Sequence, residues 1–165
     1  ASEGVANASD LNMFTQELRF STYMMIGGTG CTLPLVFMLL RAKSQKLKTM
    51  GRVGLVPSLF NINEPIVYGC IAWNPLLMIP MWLTAIILPC VIWVFTKIIA
   101  FAPIPAMVFN LWYCPYPVST WLITRSINAI LLMLICFVIA AMIYYPFFKV
   151  YDKQEYEQEQ KALQK

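Results

Sequence analysis

A chain of 165 residues that is 59% hydrophobic and only 12% charged lies far from the soluble average of about a quarter charged. Its mean hydropathy of +0.65 excludes an ordinary soluble domain and leaves room for three or four membrane-spanning segments with their loops. There are no histidines, and Cys31, Cys70, Cys90, Cys114 and Cys136 are scattered without a CxxC pair. A zinc site is thereby excluded, and the thiols read as small buried hydrophobes.

Residues 1–19 form a polar lead-in with an amphipathic start at Leu11–Arg19. The stretch has no signal-peptide pattern and does not begin with methionine, so we expect the chain to be part of a longer protein. Residues 20–40 are apolar and long enough for a span, although Gly27-Gly28-Thr29-Gly30 and Pro34 interrupt them. The glycines read either as close helix packing or as substrate-facing backbone. A phosphate loop is excluded because no GKS or GKT follows and no strand precedes.

Arg41, Lys43, Lys46, Lys48 and Arg52 make residues 41–52 a basic loop, placed on the cytoplasmic side by the positive-inside rule. They lack the interleaved aromatics of a single-strand nucleic-acid binder. Residues 76–100 predict a second span despite Pro80 and Pro89. Residues 101–120 predict an ordered loop rich in proline and aromatics, and residues 127–148 the cleanest span in the chain. Residues 149–165 read as a charged cytoplasmic tail, helical at its start and then frayed, with Asp152–Glu159 a solvated helix end.

Between the basic segments 41–52 and 149–165, the spans 76–100 and 127–148 already return the chain to its starting side. Residues 53–75 must then enter and leave on one side, as a re-entrant hairpin. Pro57, Pro65 and Pro75 point the same way, since broken helices at membrane depth are tolerated where they are buried in protein or line a cavity. The expected fold is all-α and integral to the membrane, with about three transmembrane helices and a hairpin carrying Asn61-Ile62-Asn63-Glu64-Pro65.

Glu64 is the only acid between Glu17 and Asp152. A carboxylate at the bilayer centre costs roughly 2.5–3.5 kcal/mol on insertion scales, so it marks a functional site by default. The competing reading is a structural acid, protonated or paired with Arg125 or Lys97. No second carboxylate and no nucleophile–base pair accompanies it, so no enzyme constellation is present.

Phe60-Asn61-Ile62-Asn63-Glu64-Pro65-Ile66, followed by Gly69, Asn74-Pro75 and Ile79-Pro80, resembles a known signature. It is that of the lactose/cellobiose/chitobiose-type permease component, enzyme IIC, of the bacterial sugar phosphotransferase system. Gly27–Leu33, Ala42–Lys48, the tryptophan–proline loop around Trp112 and Tyr144–Asp152 are similar to other stretches of that family. The resemblance covers nearly the whole chain and corresponds to the C-terminal part of longer family members.

It implies a multi-pass protein of the bacterial inner membrane with a cytoplasmic C-terminus, dimeric at full length. Such a protein takes up a β-linked disaccharide such as cellobiose, chitobiose or lactose by alternating access. The partner enzyme IIB phosphorylates the sugar, and enzyme IIA acts indirectly through IIB. No cofactor, metal or nucleic acid is implied, and the permease is not itself the enzyme. The family role of the glutamate, binding sugar hydroxyls, carries to Glu64, and that of a sugar-stacking tryptophan to Trp112. On its own Trp112 reads as an interfacial belt residue before a ligand, and the resemblance brings the two readings level. Asn61, Asn63, Gly28 and Thr29 would shape the pocket.

Two features depart from the family pattern. The upstream Ile-His-Gly histidine has no counterpart, and Gly69–Asn74 is one residue short and lacks the customary proline. The alternative to a transporter component is therefore a truncated or split-gene membrane fragment without autonomous transport.

Overall fold

The computed structural model describes residues 23–103 and 113–164. All regular structure among them is helical: α1 Leu33–Leu40, α2 Gln45–Leu59, the short α3 Glu64–Ile66, α4 Pro75–Trp93, α5 Val118–Thr124 and α6 Ile127–Leu163. α3 continues as a π-turn over Val67–Ile71, and α4 over Val94–Ile98.

Sequence chemistry sets most of these boundaries. Pro34 opens α1, where its missing N–H is harmless. Ser44 caps α2 by accepting the Leu47 N–H at 3.2 Å. Asn74 caps α4 by accepting the Leu76 N–H at 3.0 Å, with Pro75 in the first position. Gly51 lets α1 and α2 approach closely, since a Cβ there would lie 2.8 Å from the Leu40 nitrogen.

Two described helices are long and apolar enough to cross a bilayer: Pro75–Ile98, with 24 residues, and Ile127–Leu163, with 37. Only 28% and 33% of their most apolar windows are buried. Ile79, Trp82 and Ile86 on α4, and Leu131, Leu134, Val138 and Met142 on α6, leave broad apolar faces exposed. A soluble core helix would have covered most of that surface.

The core has two parts that adjoin at the start of α1, where Leu33 belongs to one and Leu35 to the other. Tyr23, Ile26, Cys31, Leu88, Ile92, Leu132 and Cys136 pack residues 23–33 against α4 and α6. Leu35, Leu39, Leu47, Ile66, Leu77, Tyr144 and Phe148 join α1, α2, α3, α4 and α6.

Three expectations are corrected. The described part of the expected span 20–40 is helical only over Leu33–Leu40. Eight residues reach about 12 Å, too short for a roughly 30 Å hydrocarbon core. Gly27, Gly28 and Gly30 adopt φ of 81°, 101° and 83°, and Cys31 of 53°, so the glycines build turns and not a helix–helix contact. The basic segment 41–52 is no loop beyond Ser44, because Lys46, Lys48 and Arg52 lie within α2.

The tail does not fray, since α6 runs unbroken to Leu163, although most of its residues from Lys153 on are exposed as expected. Asp152 accepts the backbone N–H groups of Lys43 and Ser44. Glu159 accepts the Ser44 hydroxyl at 2.7 Å and the Gln45 and Lys46 N–H groups at 3.1 and 2.9 Å. Lys46 Nζ meets Glu155 at 2.8 Å. Carboxylates from α6 thus satisfy the orphan amides at the N-terminus of α2, where negative charge is favoured. The Lys46 N–H, then the Ser44 hydroxyl, hold the Glu159 carboxyl below the usual range, and the Glu155 hydrogen bond raises Lys46.

Candidate functional site

The turn Phe60–Asn63 and the glycine turn 27–32 are knotted together by amide side chains. Asn61 sits in the left-handed region at φ 62°, where asparagine is tolerated better than most residues. Its Oδ1 accepts the Gly27 N–H at 3.2 Å, and its Nδ2 donates to the Cys114 carbonyl at 2.9 Å. Asn63 Nδ2 donates to the Thr29 carbonyl at 2.8 Å and to Thr32 Oγ1 at 3.2 Å. Thr32 Oγ1 in turn donates to the Gly27 carbonyl at 2.6 Å.

Gly28 is required by this contact, because a Cβ would lie 2.7 Å from both Cβ and Oδ1 of Asn63. Its own N–H and carbonyl are used within the turn, by Met25 and Cys31. Gly28 therefore shapes the site through its lack of a side chain.

Glu64 follows directly and opens α3. It is exposed, and among the described residues its carboxylate forms no hydrogen bond or ion pair. The structural-acid reading, with Arg125 or Lys97 as partner, is not what the geometry contains. Thr29 is exposed on the same turn, and Asn63 Oδ1 has no bonding partner among the described residues. Trp112 lies outside the described residues.

Three polar residues absent from the sequence-based site are woven into it. Thr32 is the first. The others are Thr84 of α4 and Tyr144 of α6, whose hydroxyls both donate to the Gly30 carbonyl at 2.9 Å. A tyrosine or threonine in an apolar span needs a buried acceptor, and that is the signal in the sequence that could have found them. On its other side the glycine turn borders a 280 Å³ cavity lined by Met24, Met25, Thr29, Gly30, Met81, Trp82 and Ala85.

Among the described residues the architecture is helical with two candidate membrane spans, packed around a polar turn that presents the free Glu64 carboxylate. The family description "Phosphotransferase system, EIIC" matches residues 4–85. The chain is 41% identical over 159 residues to the cellobiose-specific EIIC component of Geobacillus stearothermophilus, covering 93% of this chain and 34% of that protein. It is 35% identical over 150 residues to the lichenan permease IIC component of Bacillus subtilis strain 168, covering 89% and 33%. It also superposes on the crystal structure of the transporter ChbC, the IIC component from an N,N'-diacetylchitobiose-specific phosphotransferase system. There the TM-score is 0.75 and the identity 36%, over 87% of this chain and 34% of ChbC. The chain belongs to the phosphotransferase-system EIIC family. It spans about a third of the length of these relatives.

Proposed function

We propose that this chain forms the sugar-binding part of a phosphotransferase-system permease of the bacterial inner membrane. Its substrate is a β-linked disaccharide of the cellobiose, chitobiose or lactose type, moved by alternating access and phosphorylated by a partner enzyme IIB. Relatives named for cellobiose, lactose and chitobiose support the substrate class. The lactose-specific EIICB components of Staphylococcus haemolyticus and Streptococcus mutans, whose name joins the C and B letters, support the IIB partner. The full-length protein is read as a homodimer with its C-terminus in the cytoplasm, and residues 53–75 as a re-entrant hairpin.

The observation that carries the reading is the division of labour around Glu64. Both neighbouring asparagines are engaged in holding backbone, whereas the carboxylate between them and Pro65 is exposed and unengaged. A free carboxylate accepts from sugar hydroxyls, and charge-assisted hydrogen bonds are the strong ones. Asn63 Oδ1 and the Thr29 hydroxyl add neutral groups on the same turn, and Trp112 is assigned the stacking face.

Calorimetric titration of the detergent-solubilised chain with cellobiose, lactose and N,N'-diacetylchitobiose tests this, with Glu64→Gln as control. Saturable binding that the substitution abolishes is the expected result. Equal binding by both proteins would remove Glu64 from the site. Absence of binding, restored by adding a histidine-bearing upstream segment, would make this chain one half of a divided site. Absence under both conditions would leave this chain without a transport role.

A further inference from the structure

We infer that Tyr144, with Thr84 in support, is a positioning residue for Glu64, acting through the glycine turn; this rests on the sugar-site reading above. Tyr144 is fully buried on α6, and its single proton goes to the Gly30 carbonyl at 2.9 Å. Thr84 reaches the same carbonyl at 2.9 Å but also its own helix at Met81 O, at 2.8 Å, so its proton is shared. Tyr144 is the committed donor.

One residue earlier, the Thr29 carbonyl is held by Asn63, the residue that precedes Glu64. Successive carbonyls of one turn are therefore gripped from two sides, by the spans and by the Glu64 turn. The connection has little slack. A Cβ on Gly28 would collide with Asn63, and one on Gly30 would lie 2.6 Å from Met81 Cγ. Shifting Gly30 displaces Thr29, hence Asn63 and the peptide leading into Glu64.

The competing account is that Tyr144 merely satisfies its own hydroxyl against a convenient carbonyl. That account expects a stability loss with no change in sugar affinity, because the tyrosine ring packs in the core and Phe keeps it there. The positioning role expects the two readouts to separate.

The test measures cellobiose, lactose and N,N'-diacetylchitobiose affinity, together with amide hydrogen exchange over residues 24–33. It compares the wild-type chain with Tyr144→Phe, Thr84→Val, Thr84→Ser and Glu64→Gln. Tyr144→Phe should speed exchange in the glycine turn and weaken sugar binding about tenfold, the equivalent of one lost hydrogen bond's worth of alignment. Thr84→Val should weaken binding by less, and Thr84→Ser, which keeps the hydroxyl, should restore it. Wild-type affinity in Tyr144→Phe, with Glu64→Gln inactive, overturns this inference and leaves the sugar site standing. A wild-type chain that binds none of the three sugars removes the sugar site and this inference with it. If Tyr144→Phe does not fold, equal affinities for Thr84→Val and Thr84→Ser overturn the inference instead.

Discussion

Asp152 accepts the backbone N–H of Lys43 with both carboxylate oxygens, at 2.9 and 3.0 Å, across 109 residues of chain. The same Oδ1 takes the Ser44 N–H at 3.1 Å, so one buried acid satisfies two amides just ahead of α2. An amide side chain offers one oxygen where the carboxylate offers two, and it carries no charge. Asp152→Asn should therefore lower stability by about 1–3 kcal/mol, read as a drop in the thermal midpoint in detergent. An unchanged midpoint would mean that water replaces the contact without loss.

Around the same helix start, the charge pairs set a pH window. Glu159 is held below the ordinary glutamate value of about 4.3 by backbone N–H groups and the Ser44 hydroxyl. Its contribution is thus complete above that value and lost as pH falls through the lowered one. Lys46 is raised by Glu155, so its contribution is complete below the ordinary lysine value of about 10.4 and lost as pH rises beyond it. Spin labels on exposed Thr49 and Gln158 should report one narrow distance distribution through the neutral range and a broadened one under strong acid. A broad distribution already at neutral pH would show that the α2–α6 contact does not persist in solution.

Glu64 and Gly28 should behave oppositely under substitution. Glu64→Gln removes no bond among the described residues and sits on the surface, so stability should stay within about 0.5 kcal/mol while sugar binding disappears. A large loss of stability instead would reveal a structural role for the acid.

Gly28→Ala places a Cβ against Asn63 at a φ of 101°. The left-handed backbone alone costs roughly 1–2 kcal/mol. Denaturation should show at least that loss, and sugar affinity should fall with it. Wild-type stability in this variant would mean that the turn is wider in solution than the packing against Asn63 indicates.

Asn63→Ala leaves the Thr29 carbonyl without its donor and is expected to cost about 1–3 kcal/mol. Asn63→Asp should be worse than alanine, since it sets a negative oxygen against that carbonyl. The ranking of the two by thermal midpoint checks the assignment of Nδ2 as the donating end, and the reverse order would flip the amide.

The long apolar runs were readable because length and hydropathy alone demand them: 76–100 overlaps Pro75–Ile98, and 127–148 is the first part of α6. The importance of the Asn61–Glu64 stretch was also readable, because polar groups in apolar surroundings need partners. Which partners was not. Apolar composition could not distinguish a helix over 20–40 from a glycine turn followed by eight helical residues, since both bury the same side chains. The helical continuation through Glu159 was hidden for another reason: its acids find their donors at Lys43–Lys46, a contact no local pattern encodes. Tyr144 and Thr84 escaped notice because their common acceptor is a backbone carbonyl, and sequence does not advertise where carbonyls point.

From Tyr144 to Glu159, α6 advances about 22 Å, and α2 covers nearly the same distance from Gln45 to Leu59. Glu159 grips the start of α2, and Tyr144, by way of Gly30, Thr29 and Asn63, holds the turn at its end. The two rods form a frame of matched sides fastened at its opposite corners. The start of α2 and the peptide leading into Glu64 are thereby tied to one helix, α6, at two points about 22 Å apart.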